Sequence, residues 1–369
     1  MAKVAFYAPL KPPDHRVPSG DRLVARLLID ALRLAGYQPL VASRLRSFDG
    51  AGDARRQERL AARGAATAAR LIARWRAQPR EAPGLWFTYH LYYKAPDWIG
   101  PAVADALGIP YVVAEASLAM KRAAGPWAAG HRQAAAALRR ADLVIGLNPA
   151  DRDGVLPALG DAVHWAMLPP FLDAGRYAVA SREPAKAPRL VTVAMMRPGD
   201  KLASYRVLAA ALAQLLDRDW TLEVIGDGPA RGEVEAALAP LGARLGYAGA
   251  LGDEDITDRL AAADLFVWPA INEAFGMALL EAQASGLAVV AGASGGVGTI
   301  VADGETGLLT PPGDIDAFSA AVRQLVDAPA RRAAMGVAAR QKVLCAHDLP
   351  AAAGRLAALL GGLRRKCAA

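Results

Sequence analysis

Two carboxylates eight positions apart, Glu273 and Glu281, stand in the segment from Ala270 to Val290, AINEAFGMALLEAQASGLAVV. A helix opening between them would leave the N–H groups of Phe275, Gly276 and Met277 unpaired, and unpaired amides at a positive helix end attract phosphate. A carboxylate can accept from two sugar hydroxyls at once, and Gly276 lets the backbone approach a ligand closely. The same acids also suit an ordinary amphipathic helix with an acidic first turn. Upstream, the apolar run Leu190 to Ala194 is followed by Arg197 and Lys201, whose spacing puts both at the opening of a helix. There a guanidinium fork and a mobile ammonium would meet phosphate oxygens together, although a solvated helix start has the same composition. The turn Gly226-Asp227-Gly228-Pro229 closes a further apolar run, as such turns close many strands.

Something must hold these groups. Apolar runs of strand length alternate with amphipathic segments, the order of an α/β chain with helices around parallel sheets. In the first half, strands are predicted at Lys3 to Ala8, Pro39 to Ser43, Leu85 to His90, Tyr111 to Glu115 and Leu143 to Leu147. A turn-rich loop from Pro9 to Gly20 precedes a helix that ends at Gly36. Periodicity breaks between Pro169 and Pro188 and then resumes, with strands at Leu190 to Ala194, Thr221 to Ile225, Leu265 to Trp268 and Leu287 to Ala291. Helices are expected near Lys201 to Leu216, from Gly232, and near Gly276 to Ser285. The division is therefore an N-terminal domain over 1–175, a second domain over 186–345 and a helical segment over 346–369. Doubly wound sheets take ligands at the carboxyl ends of their strands, so the two domains would face a central cleft.

With 54% hydrophobic and 21% charged residues, 369 residues can supply two cores, which excludes a disordered chain. Cys345 and Cys367 are too few for a disulfide framework and read as reduced thiols. The uncharged run from Ala282 to Ala302 is divided by five glycines, so no membrane span is expected; no signal peptide is read either, and a cytoplasmic protein is expected. The formal charge of +7 is uneven: 23 Lys and Arg stand against 15 Asp and Glu up to Gly175, and 20 against 21 beyond it. That suits an anionic partner for the first half, while 35 Arg against 8 Lys also fits a coding bias. Arg55 to Arg80 holds eight arginines and one acid. Arg55, Arg56, Arg59, Arg63, Arg70 and Arg74 share one side of a helix, opposite Leu71, Ile72 and Trp75. Such a helix suits peripheral contact with the inner face of an anionic membrane, and suits rather better a domain cover with a solvated face. No nucleic-acid module accompanies the charge.

In this order and at these separations, the segments between about Val191 and Pro312 resemble the retaining glycosyltransferases of the GT-B fold, sequence family four, glycosyl transferases group 1. The resemblance covers most of the chain. It implies two Rossmann-like domains and transfer of a sugar, with retention, from a nucleoside diphosphate donor to a hydroxyl acceptor. No metal is expected, since no DxD-like acid pair lies beside the donor segment. Glu281 is then implied to hold the ribose, Glu273 with the amides of Phe275, Gly276 and Met277 the donor sugar and diphosphate, and Arg197 with Lys201 the leaving diphosphate. Gly226, Asp227 and the stretch Tyr247 to Gly249 look like contacts on the base side, and Gly304 to Leu309 like the closing segment. The first half departs from the pattern. Ser19-Gly20-Asp21-Arg22 has one glycine where two are frequent, leaving Gly20 as the diphosphate contact. His90, at a strand end, faces sugar or acceptor, or is only a hydrogen-bonded strand end. Where a histidine usually meets the donor sugar the chain reads Ala114-Glu115-Ala116-Ser117, so Glu115 is the candidate for that polar place. A nucleotide-sugar epimerase of the same fold, or a binding protein without turnover, are the other readings.

Overall fold

The computed structural model describes residues 1–17, 19–179 and 186–363; Pro184 of the expected linker and Cys367 lie outside them. The chain forms two compact units, each built on a six-stranded parallel sheet.

The first sheet contains β1 (Ala2–Tyr7), β2 (Tyr37–Ser43), β3 (Leu85–Leu91), β4 (Tyr111–Ala116), β5 (Leu143–Gly146) and β6 (His164–Met167), in the order β2-β1-β3-β4-β5-β6. Central strands buried on both faces must be apolar throughout. Accordingly β4 is buried at every residue, and Phe6, Phe87 and Val112 are fully inaccessible. One buried carboxylate, Asp97, is fully employed: it accepts from the Thr88 and Tyr111 hydroxyls and from the Ile99 and Gly100 amides. The order reverses between β1 and β3, which opens a crevice at their carboxyl ends.

The second sheet contains β7 (Arg189–Val193), β8 (Thr221–Ile225), β9 (Leu245–Gly249), β10 (Leu265–Trp268), β11 (Ala288–Gly292) and β12 (Gly307–Thr310), in the order β12-β11-β10-β7-β8-β9. Its reversal lies between β7 and β10. Leu265, Phe266, Val289 and Val290 fill the centre of its core.

The strands β6, β9 and β12 are absent from the sequence-based expectation. All three lie at an edge of their sheet, where one flank and part of a face meet solvent and no continuous apolar run is required.

The domain limits also differ from expectation. The first unit ends at Pro169, not at 175, and resumes at Leu349, so the C-terminal segment is part of it. Helix Leu349–Gly361 buries Ala352, Ala353, Leu356 and Leu360 and packs on helix Gly20–Leu34. The second unit runs from Pro170 to Asp348. Its two ends are tied side by side: the Leu172 amide donates to the His347 carbonyl at 2.9 Å and the Ala174 amide to the Asp348 carboxylate at 2.9 Å.

Helix Ala54–Ala77 turns Gln57, Leu60, Gly64, Ala68 and Trp75 inward, while Arg55, Arg56, Arg59, Arg63, Arg70 and Arg74 are exposed. Among the described residues no helix is long and apolar enough to cross a membrane.

Candidate active site

In the second unit the loops leaving β7 and β10 meet at the reversal of strand order. After β10 the chain passes through Ala270 and Asn272, both left-handed at φ 54° and 51°. Two bonds pin this unusual turn to helix Asp200–Ala213: the Ile271 amide donates to Ser204 Oγ at 3.0 Å, and Asn272 Nδ2 to Asp200 at 2.8 Å. The turn delivers Glu273 to Lys201, whose Nζ donates to Oε2 at 2.5 Å. Trp268 Nε1 donates to the same oxygen at 3.2 Å, and the Lys201 ammonium stands 5.4 Å from the Trp268 ring centroid. Glu273 Oε1 is left without a partner among the described residues. The side chains of Glu273 and Lys201 are 17% and 27% exposed, so the pair is accessible from one side.

Helix Met277–Ala284 follows at once, with Gly276 as its cap at φ 76°, a conformation that glycine adopts without the cost a side chain would add. The amides of Phe275, Gly276 and Met277 have no acceptor among the described residues. One turn further on, Glu281 is half-buried and its carboxylate accepts no hydrogen bond among the described residues. Burial, reinforced by the Asp253 carboxylate against a weaker opposing effect of Arg176, raises its pKa to about 7.

Two expectations need correction. Arg197 and Lys201 do not share a helix start: the helix begins at Asp200, after Gly199 at φ 84°, and Arg197 lies in the preceding loop, exposed and with no side-chain partner among the described residues. The turn Gly226-Asp227-Gly228 prolongs the sheet. The Ala194 amide donates to the Ile225 carbonyl and the Met196 amide to that of Asp227, both at 3.0 Å. A Cβ on Gly226 would stand 2.0 Å from the Ala194 oxygen, so close backbone approach accounts for this glycine. Asp227 itself accepts from the Gly228 amide and pairs with Arg231 at 3.2 Å.

In the first unit the crevice between β1 and β3 gathers a second cluster. Helix Gly20–Leu34, capped by Ser19, brings Asp21 to His90, with Oδ1 at 2.9 Å from Nδ1. Glu115 Oε1 lies 3.7 Å from the same nitrogen. His90 and Glu115 are both left-handed, at φ 62° and 57°, so adjacent strand ends turn their side chains out of the regular pleat. Burial would lower the His90 pKa, but Glu115 and Asp21 outweigh it and raise the imidazole above its ordinary value. Asp21 is lowered, first by its bond to His90. Burial raises Glu115, and Oε2 of that side chain is buried with no partner. Gly20 occupies the first turn of the helix, and a Cβ there would meet nothing within 4 Å.

The expected site residues therefore fall into two groups, Lys201, Glu273, Phe275, Gly276, Met277 and Glu281 in the second unit and Gly20, His90 and Glu115 in the first. Trp268 and Asp21 were not anticipated as participants. Asp21 adjoins Gly20 in the Ser19-Gly20-Asp21-Arg22 motif, and Trp268 ends a predicted strand.

Parallel sheets with functional groups gathered where strand order reverses are the arrangement of the GT-B class. HepE from Anabaena, solved in complex with UDP, superposes over 98% of this chain and 100% of its own with a TM-score of 0.74 and 18% identity. The family model of glycosyl transferases group 1 matches residues 180–342. The chain is 32% identical over 307 residues to the D-inositol 3-phosphate glycosyltransferase of Kineococcus radiotolerans, covering 72% of this chain and 69% of that one. It is also 32% identical over 250 residues to the GDP-mannose-dependent alpha-(1-6)-phosphatidylinositol monomannoside mannosyltransferase of Mycolicibacterium smegmatis, 62% of this chain and 65% of that protein. This chain belongs to the glycosyl transferases of group 1. It spans just under two thirds, 65%, of the length of that mannosyltransferase.

Glu281 supplies a prediction. Its folded pKa of about 7 lies above the ordinary 4.5, so the ionised carboxylate opposes folding. Glu281→Gln should therefore stabilise the ligand-free protein at pH 8, by roughly 1–3 kcal/mol. The gain should shrink as pH falls from about 7 and vanish near 4.5, where wild type is neutral in both states. Melting curves across that range check it; an unchanged melting temperature at pH 8 would mean that Glu281 is well solvated.

Proposed function

We propose that the chain transfers a sugar from a nucleoside diphosphate donor to a hydroxyl acceptor, with retention at the anomeric carbon and without a metal. The observation that carries this reading is Glu281. A desolvated carboxylate with no internal partner is matched by a vicinal diol, and a ribose offers one to both oxygens. Around it, the amides of Phe275 to Met277 suit diphosphate oxygens, and Arg197 and Lys201 supply positive charge for the departing diphosphate. Glu273, held by Lys201 and Trp268, has Oε1 ready for a hydroxyl of the donor sugar. The relative named as GDP-mannose-dependent and the UDP bound to HepE support a nucleotide-sugar donor and leave its base open. Positioned cations and amides supply the charge stabilisation that a metal gives elsewhere.

Arg197→Ala should weaken both nucleoside diphosphate and nucleotide-sugar, by roughly tenfold or more, through loss of a charge-assisted hydrogen bond. Calorimetry with GDP and UDP decides this, and unchanged affinity for whichever binds would remove Arg197 from the site. Glu281→Ala in the same experiment should harm a ribonucleotide far more than its 2′-deoxy form. Transfer should survive excess EDTA; activity lost to EDTA and restored by magnesium or manganese would refute metal independence.

We further propose that the arginine face of helix Ala54–Ala77 contacts anionic membrane peripherally. The support is the exposure of its six arginines in the half of the chain that carries the excess positive charge. Wild type should sediment with phosphatidylglycerol vesicles at low salt and detach as screening shortens the Debye length to about 8 Å. Arg63→Glu with Arg70→Glu should abolish sedimentation and leave the melting temperature nearly unchanged, since both side chains are solvated. Failure of wild type to sediment would leave the helix as a domain cover alone.

A further inference from the structure

The cluster in the first unit has a charge excess that its own side chains do not resolve. Asp21, Glu115 and Asp151 all act on one imidazole, His90, and Asp21 and Asp151 act on Glu115 as well. Against three carboxylates the facing groups are His90, which can carry one positive charge, the Tyr89 hydroxyl beside Glu115, and Lys11, which acts on Asp21. Neither Glu115 nor Asp151 pairs with a lysine or arginine among the described residues, in a half of the chain that holds 23 of them. Burial accordingly raises both. Glu115 is 9% exposed, and its Oε2 is buried with no hydrogen-bond partner. Asp97 shows how the same fold treats a structural carboxylate: buried equally deeply, it receives four hydrogen bonds. An orphaned oxygen on a desolvated carboxylate is costly to maintain and is relieved by a donor from outside.

The nature of that donor follows from charge. A neutral hydroxyl would satisfy the oxygen and leave the excess negative charge in place, whereas a cation would answer both. Among the described residues no group of three or more His, Cys, Asp or Glu side chains is arranged to hold a metal ion. A primary ammonium places three donors on one positive centre and fits oxygens approaching from different elements. The aromatic ring of Tyr92, with its centroid 5.1 Å from that of His90, adds a face on which a sugar ring can rest.

We propose that Glu115, with Asp21, binds a primary ammonium group carried on a polyhydroxylated ring, as in an amino sugar or aminocyclitol. The inference rests on the glycosyl-transfer reading only in making that ligand a substrate. The nucleotide experiments report on the second unit, so the two readings fail separately.

The probes are glucosamine, N-acetylglucosamine and glucose, titrated calorimetrically into the full chain at pH 6.5, where the amine is protonated. Glucosamine should bind at least about tenfold more tightly than either neutral sugar, the difference a charge-assisted hydrogen bond makes. Glu115→Gln keeps the shape of the side chain and should bring the three sugars to within about threefold of one another, as should Asp21→Asn, which stands in if the first variant does not fold. Repetition with saturating nucleotide-sugar separates two sources of the amine. Competition marks the sugar of the donor, and undiminished binding marks an acceptor. Equal binding of the three sugars by wild type, or no binding of glucosamine, overturns the proposal.

Discussion

Covering a parallel sheet on both faces leaves polar side chains almost no place except the strand ends, and nearly everything chemical in this protein follows from that constraint. The interiors of β4, β10 and β11 are uniformly buried. Lys201, Trp268 and Glu273 cluster beside the reversal between β7 and β10, and Asp21 and His90 beside that between β1 and β3, with Glu115 on the neighbouring strand. Among the described residues only His90, Glu115, Ala270 and Asn272 carry a side chain at positive φ, and all four lie at or just beyond the carboxyl ends of β3, β4 and β10. Each costs on the order of 1–3 kcal/mol, a strain that the neighbouring ladder and the Ser204 and Asp200 bonds hold in place.

The carboxylates that lie at or below the surface are treated in contrasting ways. Asp97 is saturated by two hydroxyls and two amides, and it fixes the start of helix Gly100–Leu107 to β3 and β4. Glu115 is buried with Oε2 unpaired, and Glu281, half-buried, accepts no hydrogen bond among the described residues, so both carry a pKa raised chiefly by burial. Glu273 is intermediate, with one oxygen anchored and the other open.

Much of this was legible in the sequence. Central strands announced themselves because burial on both faces demands continuous apolar runs, as in LVIG of β5 and LFVW of β10. The pair Glu273 and Glu281 was legible because the intervening glycine and the helix pattern fix their separation. What escaped notice depends on contacts between distant segments. Edge strands such as LGYAG of β9 need no apolar run. The partnership of Asp21 with His90 spans 69 positions, and the left-handed turn at Ala270 leaves no trace in residue type, since alanine rarely adopts it. The backbone contact of Gly226 with Ala194, which requires a glycine there, was likewise not legible.

The return of the chain to its first unit bears on how the protein is made. Helix Gly20–Leu34 emerges from the ribosome early, but the helix that packs on it, Leu349–Gly361, is translated only after all of Pro170–Asp348. At synthesis rates of about 5–20 residues per second, the nascent first unit waits roughly ten to forty seconds with that flank uncovered. At the end of that interval the second unit, continuous in sequence, has every element it needs to fold. The order of completion on the ribosome is thus the reverse of the order of synthesis, and the apolar flank of the earlier unit is the surface a chaperone would have to guard.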